Sequence, residues 1–340
     1  MNAPATKQKV SMDIMVLAQF YAYVFQGFFI TILCGLLTHV IFINKSLWRS
    51  YKIIAWQTFV GTLMGASQMM AGIARLITFY IDQEQLRSKQ YCVLMPWNLI
   101  AFWAEPMVAI CLLMVSTDRL LAVVMPIVYY KKSANLQNIQ IVMWNVTMLL
   151  ITSVSWYYSL TDTNQMLSPF CWTSDAMFPV FNSLTLLVTI ATSVSSVILY
   201  VIVFVLSRKR AVRPRDKQQF GGTFQQQQRR LTVTLGISCI FTLVLYVLPV
   251  CVKYTLIDRM HERAPEAVHA YCAISCNLTP ITNIGIIVLR HREMRHYIRR
   301  LLPSSIQKLL CKQALVPTHV VGSCTMRRSN CLPNEGKTKI

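Results

Sequence analysis

Seven long apolar stretches alternate with short polar segments along this chain. They cover residues 16–43, 53–81, 93–125, 139–160, 178–206, 231–256 and 267–289. An α-helix needs about 20 apolar residues to cross a hydrocarbon core roughly 30 Å thick, and each stretch is long enough. The pattern predicts an all-α integral membrane protein, a bundle of seven helices.

The composition supports this prediction and leaves little room for a soluble domain. Of the 340 residues, 54% are hydrophobic and only 14% are charged, which is typical of membrane proteins. We therefore predict a short extracellular N-terminus over 1–15, a spanning domain over 16–302 and a disordered tail over 303–340. Within the spanning domain, 292–302 has apolar residues at three- and four-residue spacing among arginines, which predicts a short amphipathic eighth helix along the inner leaflet.

The basic residues predict the orientation of the chain. A formal charge of +20 would suggest nucleic acid as the partner of a soluble protein. Here the Lys and Arg residues concentrate between the fifth and sixth stretches and after Leu289, on one side of the predicted membrane. Because basic loops stay on the cytoplasmic side, we expect the N-terminus outside and the C-terminus inside. Anionic membrane lipids, and not nucleic acid, are the partner that this charge suits.

Enzyme chemistry finds little support in the sequence. The chain has no His-Glu-x-x-His, no Gly-rich phosphate loop and no Gly-x-Ser-x-Gly. Cys272 and Cys276 lie one turn apart, but no second Cys or His pair follows at zinc spacing. We expect no enzyme activity, no cofactor and no metal. Cys92 and Cys171 both fall on the predicted outer side, where disulfides persist.

An acid-base pair stands at the inner end of the third stretch. Asp118-Arg119 is followed by Pro126 and Tyr129, and charges near the membrane interior are functional candidates. They could also be interfacial charges that reach the lipid headgroups. With its Pro and Tyr offsets, the string resembles the inner end of transmembrane helix three and the second cytoplasmic loop of rhodopsin-like G-protein-coupled receptors.

Other positions extend this resemblance over the whole spanning region. Tyr200 resembles the fifth-helix Tyr that approaches the helix-three Arg in active receptors, Pro249 stands at the kink of helix six, and Pro280 corresponds to the Pro of the Asn-Pro-x-x-Tyr motif. The resemblance implies that Arg119 is the switch facing a heterotrimeric G protein. It also implies that Asp118 holds Arg119 in the inactive form.

The chain also departs from the receptor pattern. Gln68 replaces the mid-membrane Asp, Val247 replaces the aromatic residue two before Pro249, and the last motif lacks its Asn and its Tyr. Divergence of this kind is similar to nematode serpentine chemoreceptors, particularly the Srsx group. That resemblance implies a multi-pass protein of the plasma membrane that senses a small molecule or peptide. The receptor family's bridge implies a Cys92–Cys171 disulfide, and Cys311 after the eighth helix is a candidate for lipidation.

Two charges in the outer half of the spanning region point to a ligand site. Arg75 and Glu105 lie at comparable depths, and each needs a partner there. They could form an ion pair that only locks two helices together. Alternatively, they bind a polar or zwitterionic ligand between aromatic walls. The predicted ligand-binding residues are Arg75, Trp97, Trp103, Glu105, Trp172, Tyr246 and Tyr271.

Two other functions remain open at this point. A channel or transporter would have several ionisable groups along its path, whereas the predicted core has chiefly Arg75 and Glu105. A receptor-like membrane protein that does not signal would account for the missing motifs. The sequence favours a G-protein-coupled chemosensory receptor over the first and does not separate it from the second.

Overall fold

The fold was obtained as a computed structural model. The structure describes residues 3–81, 86–162, 166–212, 240–249, 251–252, 271, 274–276, 278–282 and 284–285. All of them belong to one compact unit, Met1–Ile298. The predicted amphipathic helix at 292–302, the tail at 303–340 and Cys311 lie outside the described residues.

Helices make up nearly all of the described chain. In chain order the elements are α1 (Ala3–Ile43), α2 (Lys45–Ser50), α3 (Lys52–Tyr80), β1 (Arg87–Ser88), α4 (Lys89–Leu94), α5 (Pro96–Val124), α6 (Pro126–Thr161), β2 (Met166–Leu167), α7 (Thr173–Ala176) and α8 (Pro179–Val212). Residues 240–249 are also helical and contain a π-helical turn, Leu243–Val247. The helical prediction is confirmed, apart from the two-residue antiparallel pair that β1 forms with β2.

Four helices in the described part of the chain are long and apolar enough to cross a membrane. They are Val16–Ile43, Pro96–Val124, Lys131–Thr161 and Pro179–Lys209. These correspond to the first, third, fourth and fifth predicted stretches. The helix α3 matches the second stretch in length and carries buried polar residues, among them Gln68 and Arg75.

Two helices extend beyond the predicted apolar stretches. The first helix begins at Ala3, so the predicted N-terminal segment continues the spanning helix. No Pro or Gly interrupts the chain between Pro4 and Val16, and Pro is tolerated in the first turn of a helix. Likewise α8 runs through Val212 and includes the first basic residues after the fifth apolar stretch.

The first two long helices approach each other closely through glycines. A Cβ added at Gly65 of α3 would lie 2.8 Å from the backbone nitrogen of Thr31 in α1, and one added at Gly27 would lie 2.5 Å from that of Met69. Small residues let helix backbones come this close inside membranes. The contact fixes α1 against α3.

The central helix of the described bundle is α5, which packs against α3, α6 and α8. Its Met107, Ile110 and Met114 are fully buried. The helix ends at Val124 because Pro126 begins α6, and Pro has no N–H with which to continue the helical hydrogen bonds. This break positions Tyr129 in the first turn of α6, next to the C-terminal end of α5.

Candidate functional sites at the two ends of the bundle

A disulfide and an asparagine hold the segment after β2 against the N-terminal end of α5. Cys92 and Cys171 are bonded, which confirms the bridge that the resemblance implied. Cys171 adopts a left-handed backbone with φ of 45°. The buried Asn98 donates to the carbonyls of Cys92 (2.8 Å) and Cys171 (3.2 Å), and its own Oδ1 accepts from the Thr173 hydroxyl (2.8 Å).

Arg75 of α3 binds the same segment from the other side. Its Nε donates to the Phe170 carbonyl at 3.1 Å and its Nη2 to the Cys171 carbonyl at 3.5 Å. The guanidinium lies 4.3 Å from the ring centre of Trp172 and 5.6 Å from that of Tyr23. The side chain is 4% exposed. Of the predicted ligand residues, the structure therefore brings Arg75 and Trp172 together, and the hydrogen-bond acceptors of Arg75 are backbone carbonyls and not Glu105.

Glu105 has a different environment in the middle of α5. It is exposed, whereas Ala104 and Pro106 beside it are buried. The buried Tyr246 packs with Ala109, one helical turn after Glu105 on α5. The predicted residues Glu105 and Tyr246 thus share one region along α5, whereas Tyr23 is placed by its contact with Arg75.

The remaining predicted ligand residues have other packing partners. Trp97 packs on the cluster around the Cys92–Cys171 bridge. Trp103 packs edge-on against Trp56, with ring centres 6.4 Å apart, in the core between α3, α5 and α6. Tyr271 is 60% exposed.

A second polar cluster lies at the C-terminal end of α5, which the sequence predicts to be the inner end. Oδ1 of the buried Asp118 accepts from the Tyr129 hydroxyl (2.8 Å) and from Nε2 of Gln137 (3.1 Å). Gln137 also donates to the Tyr129 oxygen at 3.2 Å. The cluster fixes the first turns of α6 against α5. Asp118 and Tyr129, which the sequence analysis assigns to one functional string, are therefore in direct contact.

The ionisation of Tyr129 is suppressed by its position. Burial, together with the Asp118 carboxylate, raises the pKa of Tyr129 to about 12. A phenolate beside that carboxylate would be unfavourable because both groups would carry negative charge. Tyr129 therefore stays a hydrogen-bond donor throughout the physiological range of pH.

Arg119 borders a cleft next to this cluster. Its Nε lies 3.7 Å from Oδ2 of Asp118, and its side chain is one-fifth exposed. This distance is longer than that of a close charge-assisted hydrogen bond. The cleft is lined by Tyr51, Ile53, Ile54, Val115, Asp118, Arg119 and Gln137. Asp118 is thus held by Tyr129 and Gln137 and only loosely paired with Arg119.

The remaining predicted activation residues lie on other helices. Tyr200 of α8 is buried, and Pro249 lies two residues after the π-helical turn. A Pro at 249 removes the N–H donor that the carbonyl of Leu245 would have in a regular helix. That carbonyl accepts from the Ser275 hydroxyl at 3.0 Å, so Ser275 replaces the backbone hydrogen bond that Pro249 removes. Pro280 is helical and partly buried.

The sequence reasoning missed four residues of these sites. They are Tyr23, Asn98, Gln137 and Ser275. Gln137 is eight residues after Tyr129, about two helical turns. Once α6 is known to begin at Pro126, this spacing predicts that both side chains lie on the same face of the helix. The other three contact residues that are distant in sequence, and no local pattern marks them.

One family model matches the chain. It is that of the serpentine type 7TM GPCR chemoreceptor Srv, and it covers residues 51–303. Curated proteins give no match. The predicted kinship with serpentine chemoreceptors is confirmed, and the matching model is that of Srv, where the sequence resemblance indicated the Srsx group.

Proposed function

Because the chain belongs to the Srv family of serpentine seven-transmembrane chemoreceptors, we propose that it is a chemosensory receptor for a small molecule or peptide. In this proposal seven helices span the plasma membrane with the N-terminus outside. The ligand binds between the outer halves of the helices, around Glu105 and Tyr246. A heterotrimeric G protein binds at the inner end of α5.

The geometry of Asp118 and Arg119 is the observation that carries this proposal. A buried carboxylate is costly unless it is satisfied, and here Tyr129 and Gln137 satisfy one oxygen of Asp118. Arg119 can therefore leave Asp118 without stranding a buried charge. A loosely held, partly exposed Arg beside a cleft is suited to a switch that binds a partner after a conformational change.

The hinge near Pro249 supports the same proposal. Pro and π-helical turns are common causes of helix kinks, and both occur within residues 243–249. In the proposed mechanism the helix bends at this point, the cleft widens, and Arg119 turns towards Tyr200 and the G protein. An agonist acts only through its preference for the open form, since a ligand that binds both forms equally shifts neither.

The test is nucleotide exchange on G proteins in membranes from cells that express the full chain. A broad ligand panel is applied to wild type, to Arg119→Ala and to the matched control Lys52→Ala. Lys52 is another inner-end cation, and its ammonium contacts Asn138 at 3.1 Å. We expect ligand-driven exchange in wild type and in Lys52→Ala and its loss in Arg119→Ala at equal surface expression.

Three results would count against this proposal. Nucleotide exchange that persists in Arg119→Ala would show that G-protein coupling does not need Arg119. Ligand-gated ionic current without exchange, recorded from the same cells, would indicate a channel or transporter. Ligand binding without either response would identify a receptor-like protein that does not signal.

A further inference from the structure

Arg119 and Asp118 carry opposite charges and lie close together without forming a hydrogen bond. Oδ2 of Asp118 is 3.7 Å from Nε of Arg119, whereas a charge-assisted hydrogen bond between such groups spans about 2.7–2.9 Å. Nε of Arg119 is buried and donates to no acceptor within the described residues. A buried donor without an acceptor is unfavourable, and a movement of about 1 Å would satisfy this one. Some feature of the site therefore keeps the two groups apart.

The carboxylate of Asp118 is held by donors from α6. Tyr129 and Gln137 both donate to its Oδ1, at 2.8 and 3.1 Å. The two donors are eight residues apart on one helix, about two turns, so α6 binds a single oxygen at two points. The terminal torsion of an Asp side chain is otherwise broad. The two hydrogen bonds restrict it, and they leave Oδ2 short of Arg119.

Gln137 orients both of the other members of this cluster. It is 5% exposed and lines the same cleft as Asp118 and Arg119. Its Nε2 donates to Oδ1 of Asp118 and also, at 3.2 Å, to the oxygen of Tyr129. Its Oε1 accepts from no donor within the described residues. Both hydrogen bonds of the Gln137 side chain therefore go to groups that determine how the Asp118 carboxylate is turned.

We propose that Gln137 is a positioning residue that weakens the resting pair of Asp118 and Arg119 and thereby sets how readily Arg119 is released. When Gln137 is removed, the buried carboxylate loses a donor and needs another. Asp118 then turns about its terminal bond and closes on Arg119, which has a donor to offer. The release of Arg119 becomes harder as a result. This inference rests on the proposed receptor function, because it names the regulation of the same switch.

A double-mutant cycle of unfolding tests the pairing on purified full-length protein in SDS mixed micelles. Arg119→Met is made in wild type and in Gln137→Met. In wild type the pair is loose, so the loss of Arg119 should change the unfolding equilibrium constant little. In Gln137→Met the pair is tighter, so the same loss should raise that constant by a factor about 5- to 30-fold larger. The cycle cancels every effect of Gln137→Met that does not involve Arg119.

Two further variants make the cycle specific. Gln140→Met is the same substitution one turn further along α6, outside the residues that line the cleft. In that background Arg119→Met should act as it does in wild type. If Gln137→Met does not fold, Tyr129→Phe takes its place in the cycle, because it also removes a donor to Oδ1 of Asp118. Coupling of the same sign is expected there.

An effect of Arg119→Met that is unchanged or smaller in Gln137→Met would overturn the inference. The gap between the two charges would then follow from their adjacent positions on α5, since neighbouring residues of a helix do not face each other. An equal coupling in Gln140→Met would also overturn it, because the effect would not depend on the contact with Asp118.

Nucleotide exchange on the same variants separates this inference from the proposed function. In a signalling receptor Gln137→Met should lower basal exchange, and any agonist from the ligand panel should need a higher concentration, because the closed form is favoured. Raised basal exchange in Gln137→Met would overturn the inference. Coupling in the unfolding cycle without exchange in any variant would refute receptor signalling and keep the positioning role, whereas exchange together with an additive cycle would do the reverse.

Discussion

Replacing Arg75 by Met tests whether this buried cation stabilises the outer segment at Phe170 and Cys171. The substitution removes a hydrogen bond of 3.1 Å to the Phe170 carbonyl and a stacking contact of 4.3 Å with Trp172. The longer bond to Cys171 matters less, because Asn98 also donates to that carbonyl. The buried segment thus loses one strong donor and one cation–π contact.

The expected loss in the free energy of unfolding follows from these contacts. A hydrogen bond to a charged group contributes about 1.5–3 kcal/mol, and a buried cation–π contact contributes about 2 kcal/mol. Replacing a buried charge by an apolar side chain of similar length also relieves its desolvation, which offsets part of the loss. We expect Arg75→Met to lower the free energy of unfolding by about 2–3 kcal/mol.

Unfolding in SDS mixed micelles measures this free energy, and hydrogen exchange of the amides in 166–173 reports the local effect. The matched control is Arg208→Met, which removes an exposed Arg that lies 5.7 Å from the ring of Phe204. Exposed substitutions usually change stability by less than about 0.5 kcal/mol. A loss in Arg75→Met no larger than in Arg208→Met, with unchanged exchange in 166–173, would refute this reasoning.

Three further predictions concern helix packing, the inner cluster and the kink, and the same SDS assay measures each of them. Gly65→Ala should lower the free energy of unfolding by about 1–3 kcal/mol, because its Cβ would lie 2.8 Å from the backbone of α1. Tyr129→Phe should lower it by about 1–3 kcal/mol, because Asp118 loses a donor. The raised pKa of Tyr129 adds a pH effect: its contribution is full below its ordinary pKa of 10.0 and is lost as pH rises through about 12, a fall that the Phe variant lacks. Ser275→Ala should cost about 1–3 kcal/mol, because the Leu245 carbonyl loses its hydroxyl donor.

Each of these predictions has a matched control. A Cβ at Gly35 would meet the Thr62 side chain at an ordinary 3.6 Å, so Gly35→Ala should be neutral or stabilising. Tyr157 is 66% exposed, so Tyr157→Phe should leave stability and its pH dependence unchanged. Ser183 of α8 is exposed, so Ser183→Ala should be neutral. A variant that behaves like its control would contradict the contact assigned to it.

The sequence predicts the helices well because their signal is local. A long apolar run specifies a spanning helix without reference to any other part of the chain. The ends of the helices are harder to predict, because a helix continues until a residue such as Pro terminates it. Pro126 supplies such a stop at the end of α5, whereas nothing between Pro4 and Val16 stops α1, which begins at Ala3.

The sites can be predicted only in part from the sequence, because the residues that contact each other there are distant in sequence. The need of Arg75 for a partner follows from its apolar surroundings, but the partners are the carbonyls of Phe170 and Cys171. Every residue has a carbonyl, so no residue type marks these two. Asn98 is likewise an unremarkable polar residue in the sequence, and only the approach of residues 171–173 gives it a role.

The attachment of residues 170–173 has a thermodynamic consequence for recognition. A loop that becomes ordered only when its ligand arrives lowers affinity by the conformational entropy that it loses. Here the Cys92–Cys171 bridge, Arg75 and Asn98 fix that segment during folding. A ligand that touches it meets a surface already in its final shape, so discrimination between ligands there depends on fit and charge and not on their ability to order the loop.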